Sequence, residues 1–345
     1  MRHPFYFIIP NPKLLASGGN IYNQKLIEAL KKNNLPIKVM DWTGFWENPF
    51  PEKKACYLFD SLYFDRLTGI PKAPTTALSL LIVHHLESLY PPQGWSSTAY
   101  FSKNEFPVLR KMDGFLTTSR FTATYLEQNG LSQPSIIIPP APRFFPKQHF
   151  DRTFGQVRAL MVSNLVARKG LLPFLENMMS METHFSSFPF SIDLIGSEQL
   201  EKDYAHSCLQ IIQNNKTFAS RVKFRGTLQD EALSPFFSKA NLFLSTSYME
   251  TYGMAVQEAR IFKIPVLALN RGNLKYHVNH RQNGYLTDSI AELVTTLFEM
   301  VKKPEILATL HRKIRQEDHT EFHIWKEVAK DFTLQFNKTF FYRWK

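Results

Sequence analysis

Residues 241–269 read NLFLSTSYMETYGMAVQEARIFKIPVLAL. A short apolar run from Asn241 to Ser245 ends in a small polar loop, Gly253 opens a stretch of helical periodicity that lasts to Phe262, and a second apolar run covers Ile264 to Leu269. Two buried strands joined through a helix of that length form a βαβ unit, and such units build parallel sheets covered by helices. The alternation extends outward in both directions. Upstream it gives strands at Val157 to Val162, Phe190 to Gly196 and Val222 to Gly226, with helices from Lys169 to Met179, up to about Asn214, and from Gln229. After Asp288 the pattern is helical to the end, including Phe322 to Phe341. The first half begins with a strand at Phe5 to Ile9, a turn at Ser17-Gly18-Gly19-Asn20 and a helix to about Lys32. Further strands are expected at Ile37 to Met40, Ala55 to Phe59, Leu78 to His84, Gly114 to Thr117 and Ser135 to Ile138, with a helix from Arg120 to Gln128.

Between Pro139 and Arg152 the text turns to PPAPRFFPKQHFDR, rich in proline and without a period, which reads as a connector. The expected organisation is a first lobe over 1–146, a second over 152–321, and a terminal helix over 322–345. A length of 345 residues suits two lobes with their own cores, and 44% hydrophobic with 21% charged residues excludes wholesale disorder. Cys56 and Cys208 have no CxxC or histidine partner at zinc-ligand spacing, which points to a reducing, cytoplasmic setting without a structural metal. No apolar run approaches the length of a signal-peptide core or a membrane span. The formal charge of +11 asks for an anionic partner, and no zinc-finger, recognition-helix or RNP-type pattern accompanies it to suggest specific nucleic acid.

The chemistry is densest at Ser245 to Glu258. Backbone amides at Thr251, Tyr252, Gly253 and Met254 stand where a helix begins and suit an anion. Glu250 and Glu258 lie eight positions apart, and because helical side chains lean toward the amino terminus, Glu258 can reach back toward the ligand that Glu250 meets. Carboxylates accept paired hydrogen bonds from vicinal hydroxyls. The competing reading makes Glu250 a helix-start charge and Glu258 a solvated helix residue.

The pair of glutamates around Gly253, followed by a strand after Pro265, resembles the donor-site signature of retaining glycosyltransferases of family 4. Val162-Ser-Asn-Leu-Val-Ala-Arg-Lys-Gly170, Val222 to Gly226, Thr117 to Phe121, Asn283-Gly284-Tyr285-Leu286 and Trp325 line up with that family in order. The resemblance implies the GT-B fold, α/β, with two Rossmann-like lobes whose parallel sheets face a central cleft and a terminal helix crossing back to the first lobe. It implies sugar transfer from a UDP- or GDP-sugar with retention of configuration, without a metal or other cofactor. By position it gives Lys169, with Arg168 beside it, the donor diphosphate; Glu250 the transferred sugar; Glu258 the ribose; Gly18 and Gly19 an approach of amides to phosphate; and His84 the transferred sugar. Lys169 as a surface residue, Gly18 and Gly19 as an ordinary turn, and His84 as a satisfied structural histidine, with His85 as its less suited substitute, stay open beside these roles. The sequence departs from the family at Asn164, Lys263 and Arg271, which leaves room for a second reading, a nucleotide-sugar-binding protein without turnover.

Divided at residue 150, with the terminal helix counted alongside the first part, residues 1–150 and 322–345 carry +9 and residues 151–321 carry +2. Two readings of this asymmetry stay open: a merely solvated basic face, or an anionic acceptor or reversible contact with the inner face of an anionic membrane, assisted by Phe340, Phe341, Tyr342 and Trp344.

Overall fold

The computed structural model describes residues 3–11, 17–146, 152–316 and 323–344, with side chains of the last stretch described to residue 340. The chain divides into two compact units, Met1–Ala141 together with His323–Lys345, and Pro142–Phe322.

The first unit is built on six parallel strands, β1 (Phe5–Ile8), β2 (Ile37–Met40), β3 (Cys56–Asp60), β4 (Leu78–Val83), β5 (Gly114–Thr117) and β6 (Ser135–Ile137), in the order β2-β1-β3-β4-β5-β6. β1, β3, β4 and β5 are buried at every position. Continuous apolar runs are what a parallel sheet covered on both faces requires. The helix Trp325–Trp344 packs against the helix Gly18–Lys32 and against β6. Phe332 and Phe336 set their rings on Phe5 at 5.7 and 4.9 Å. The Gln335 amide completes the packing by pairing with both backbone groups of Ile137, donating to its carbonyl at 2.9 Å and accepting from its N–H at 3.0 Å. One side chain thus stands in for a neighbouring strand at the sheet edge. Phe340 is buried, and its ring lies against Gly114 and Phe336, so it belongs to the core and not to a membrane-facing tail. The side chains of Phe341, Tyr342 and Trp344 lie outside the described residues.

The second unit has β7 (Val157–Val162), β8 (Phe190–Ile195), β9 (Val222–Phe224), β10 (Leu242–Ser245), β11 (Val266–Leu269) and β12 (Gly284–Thr287), all parallel, in the order β12-β11-β10-β7-β8-β9. This is the doubly wound order in which the chain leaves the middle of the sheet in opposite directions, and ligands of such sheets sit outside the carboxyl ends of the two central strands. Those strands are β7 and β10.

Three local differences from the sequence reading have physical causes. The helix expected from Lys169 begins at Leu171, because Gly170 adopts a left-handed conformation (φ 67°) and closes a separate short turn, Ala167–Lys169. Gly284–Thr287 is an edge strand, and its mixed burial hid it behind the Asn-Gly turn signal. The unit boundary falls at Ala141 and Pro142, ahead of the expected 146, because Arg143 and Phe144 are bound into the second unit: Phe144 packs its ring on Phe237 and Phe262. With these bounds the first unit holds 19 basic and 12 acidic residues and the second 22 and 18, so the formal charges are +7 and +4. The asymmetry is weaker than the sequence partition gave.

Lys263 occupies a left-handed position (φ 56°) just past the helix Met254–Ile261, and its ammonium reaches the Ile314 carbonyl at 3.3 Å. This departure from the family pattern is therefore a strained helix terminus. Lys263→Gly should raise stability by about 0.5 kcal/mol, the relief of the backbone less the lost ammonium contact. A drop in the urea midpoint would contradict it.

Candidate functional site

The loops that leave β7 and β10 are stitched together. Gly170 passes so close to the second loop that a Cβ there would stand 2.3 Å from the Thr246 carbonyl oxygen. The Thr246 hydroxyl donates to the Lys169 carbonyl at 2.6 Å, and the Tyr248 N–H donates to the Arg168 carbonyl at 3.0 Å. Across this seam the Lys169 ammonium pairs with Glu250 Oε1. The two side chains are 13% and 17% exposed, so the pair remains open to a ligand. Burial alone would raise the Glu250 carboxyl, but Lys169 and then Arg168 hold it below the ordinary glutamate value. Burial lowers the Lys169 ammonium, and the neighbouring Arg168 adds to that against the pull of Glu250. At neutral pH the site thus offers an ionised carboxylate and a readily redistributed cation side by side. The preceding Asn164 accepts from the Ser197 N–H at 3.0 Å, which braces the β7 loop against the β8 loop.

The segment carrying Glu250, Thr251 and Tyr252 is held from beneath by residues the sequence reading passed over. Asn273 donates its N–H to the Glu250 carbonyl at 2.8 Å and its side-chain amide to the Tyr252 carbonyl at 3.0 Å. His277 Nε2 donates to that Tyr252 carbonyl at 2.7 Å. Gly272, where a Cβ would meet the Glu250 carbonyl, lets the two backbones approach. Thr251 and Tyr252 are half-buried, and Gly253 stands at the amino-terminal cap of the helix that Met254 begins, with no side chain to cap the first turn. Asn273 and His277 lie four apart after an Arg-Gly dipeptide, a spacing that says little without knowledge of which carbonyls pass nearby.

Burial holds the His277 imidazole well below its ordinary value, at about 4, with Arg260 pushing the same way. An unfolded histidine titrates near 6.5, so between about pH 6.5 and 4 the unfolded chain takes up a proton that the folded one refuses. Stability is complete above that window and falls as the pH is lowered through it, by about 3 kcal/mol for a shift of this size. His277→Gln, which keeps an N–H for the Tyr252 carbonyl, should flatten the loss. Urea midpoints that do not change between about pH 7 and 4.5 would contradict the assignment.

Glu258 differs from its expected disposition. It is completely buried, and both oxygens are held by Arg143: Nε to Oε1 and a terminal nitrogen to Oε2, each at 2.6 Å. The Arg143 N–H adds a longer contact at 3.4 Å. Burial works against the Arg143 charge, but Glu258 more than offsets this and raises the guanidinium above its ordinary value. Glu258 is neither a solvated helix residue nor a carboxylate turned to an open site. Its partner sits among the prolines of a segment that reads as a connector, which is why the sequence did not disclose it.

In the first unit, Gly18 and Gly19 lie inside the first turn of the helix Gly18–Lys32, capped by Ser17. The glycines thus belong to the helix's first turn, where their N–H groups have no intrahelical acceptor, and not to a turn ahead of it. Gly19 makes room for His84: a Cβ would stand 2.9 Å from the imidazole Cγ and Cδ2. His84 follows β4, is buried, and meets Asn23 Oδ1 through Nε2 at 2.9 Å. Tyr22 presents an edge to the imidazole at 5.3 Å and rests on Trp325 at 5.9 Å. Burial lowers the His84 pKa and Asp60 opposes it. His85, half-buried, donates its N–H to the Ser61 hydroxyl.

Residues 156–303 match the protein family described as Glycosyl transferases group 1. The chain is 23% identical over 154 residues to the alpha-monoglucosyldiacylglycerol synthase of Acholeplasma laidlawii, a match spanning 45% of this chain and only 37% of that enzyme. Among solved structures, sucrose-phosphate synthase of Thermosynechococcus elongatus superposes over 99% of this chain and all of its own with a TM-score of 0.75 at 17% identity. The HepE protein of Anabaena, solved in complex with UDP and glucose, covers 98% of this chain and 100% of its own with a TM-score of 0.72 at 14% identity. The fold is GT-B. Lys169, Glu250 and Glu258 all lie within the matched residues 156–303.

Proposed function

We propose that the chain is a glycosyltransferase that moves a sugar from a UDP- or GDP-sugar to an acceptor with retention of configuration and without a metal. The observation that carries this reading is the Lys169–Glu250 pair, placed at the carboxyl ends of β7 and β10 inside the segment that matches the glycosyltransferase family. A donor diphosphate draws the Lys169 ammonium, with Arg168 as a second cation, and Glu250 is then released to accept hydrogen bonds from hydroxyls of the transferred sugar. As the bond to the sugar breaks, negative charge grows on the diphosphate, and a preorganised cation with backbone amides of the β10 loop stabilises it. The cation that meets this charge in the scheme is Lys169. The ribose role expected of Glu258 is not part of this scheme, because the carboxylate is completely buried and held on both oxygens by Arg143. Binding of UDP and glucose by HepE supports a nucleotide-sugar donor. An anionic or lipid-surface acceptor is the companion proposal. The +7 first unit and the name of the Acholeplasma relative, whose product is a glycolipid, favour it, and among the described residues no helix is long and apolar enough to cross a membrane.

The test is incubation of the purified chain with a panel of UDP- and GDP-sugars in the presence of a chelator, with the anomeric configuration of any product read by NMR. Donor consumption with a retained anomer is the expected result. An inverted product sinks the stereochemical part, loss of activity with chelator sinks metal independence, and tight nucleotide binding without turnover favours the binding-protein reading. Flotation with anionic and neutral vesicles separates the acceptor proposals: equal binding to both removes the membrane version.

A further inference from the structure

The turn that carries Lys169 is gripped at both ends by the start of the helix Lys202–Asn214. Glu201 caps that helix and Tyr204 lies in its first turn, three positions on, so the two side chains share a face. Ahead of Lys169, a Glu201 carboxylate oxygen accepts the Ala167 N–H at 2.8 Å. Behind it, the Tyr204 hydroxyl accepts the Leu172 N–H at 2.8 Å. Between these points the carbonyls of Arg168 and Lys169 are fastened to Tyr248 and Thr246. Two elements of the second unit thus fix the backbone on either side of Lys169, and its side chain alone is left to reorient.

A helix amino terminus attracts an anion through N–H groups that have no acceptor within the helix. The helix Leu171–Ser180 has few to offer. Its regular bonding begins with the Phe174 N–H donating to the Gly170 carbonyl at 3.2 Å. Before that, Pro173 carries no N–H and the Leu172 N–H is taken by Tyr204, so at most the Leu171 N–H is left in that turn. The phenol oxygen therefore stands where an oxygen of a bound anion would stand. Burial raises the Tyr204 phenol above its ordinary value, which keeps this cap uncharged, and a hydrogen bond shared with the completely buried Cys208 anchors it further.

We propose that Tyr204 is a positioning residue: its hydroxyl takes the place of a phosphate oxygen at the amino end of the helix Leu171–Ser180 and so sets the Lys169 turn in its working conformation. The diphosphate then meets this side of the donor site through the Lys169 charge and not through helix amides. The proposal rests on the reading of the chain as a sugar transferase. A turn held by the protein needs no ordering by the donor, and its ammonium is already placed where negative charge develops.

The test follows the Leu172 amide of the full chain by hydrogen exchange, with UDP as the probe and the Phe174 amide of the same helix as the internal reference. In the wild type, UDP should slow Leu172 no more than it slows Phe174. In Tyr204→Phe the Leu172 amide should exchange about 10-fold faster than in the wild type. With UDP-glucose, kcat of that variant should fall by about 10-fold while KM changes by less than about threefold. A tyrosine that only stabilised the fold would lower the urea midpoint and leave kcat in place. Selective protection of Leu172 by UDP overturns the proposal, because a phosphate then reaches that amide, and so does a Tyr204→Phe kcat within about twofold of wild type. If Tyr204→Phe does not fold, the wild-type comparison with UDP still decides. A chain that consumes none of the nucleotide sugars in the panel would sink the transferase reading, and the exchange rates would still show whether Tyr204 holds the Leu172 amide.

Discussion

Lys169→Ala is expected to lower kcat for sugar transfer by about 100- to 1000-fold, the range found when one preorganised group that stabilises developing charge is removed. The reason lies in the pairing. At rest Lys169 is neutralised by Glu250 and held by a loop whose carbonyls are fastened to Thr246 and Tyr248. Its ammonium gains most when charge accumulates on a leaving diphosphate, so the loss should fall on kcat more than on KM. Glu250→Gln keeps the shape and removes the charge, and it should be impaired by a smaller factor because the amide still meets sugar hydroxyls. Lys169→Arg tests geometry against charge, since a planar guanidinium does not reproduce a point charge on a flexible stem. The pH profile supplies a second check. Because Lys169 lies below the ordinary lysine value through burial, kcat should decline on the alkaline side earlier than a solvated lysine would dictate. A Lys169→Ala variant within about threefold of the wild-type kcat would remove this residue from the chemistry and with it the reading of the β7 and β10 loops as the donor site.

What could be read in advance follows the range of the interactions involved. Apart from β12, the parallel strands were legible as short, mainly apolar runs between polar turns, and the βαβ alternation then fixes fold class. Lys169, Glu250 and His84 could be placed beyond the carboxyl ends of strands because they follow β7, β10 and β4 by seven, five and one positions. Arg143, Asn23, Asn273 and His277 were not, because their value comes from partners 115, 61, 23 and 25 positions away, namely Glu258, His84, the Glu250 carbonyl and the Tyr252 carbonyl. Nothing in local periodicity marks a residue as the support of another. Gly19 shows the same limit from the other side: its place in a glycine pair suggested backbone amides open to phosphate, and nothing local announced that its missing Cβ also makes room for an imidazole. The charge asymmetry shrank because Arg143 and Lys147 both fall past the unit boundary, and for Arg143 the reason is long-range, its commitment to a carboxylate of the second unit.

Arg143→Ala is expected to destabilise the second unit by about 3–5 kcal/mol, the cost of leaving a buried carboxylate without its partner. Both members of the pair are nearly or wholly inaccessible, at 7% and 0% exposure, so water cannot take over the lost hydrogen bonds. Arg143→Lys should recover only part of the loss, because one ammonium cannot satisfy two oxygens in the plane of the carboxylate. The double variant Arg143→Met with Glu258→Met removes the charge and its partner together, and it should return close to wild-type stability, since apolar replacements of a buried ion pair are often neutral or better. Nucleotide affinity measured in that folded variant would then report on Glu258 and not on unfolding. The measurement can be made unit by unit: all five tryptophans, Trp42, Trp46, Trp95, Trp325 and Trp344, belong to the first unit. Urea unfolding followed by far-ultraviolet circular dichroism should therefore show an early phase in Arg143→Ala that tryptophan fluorescence does not share. Should the two probes shift together, or the double variant remain as unstable as the single one, the pair is not the independent clasp of the second unit that its geometry describes.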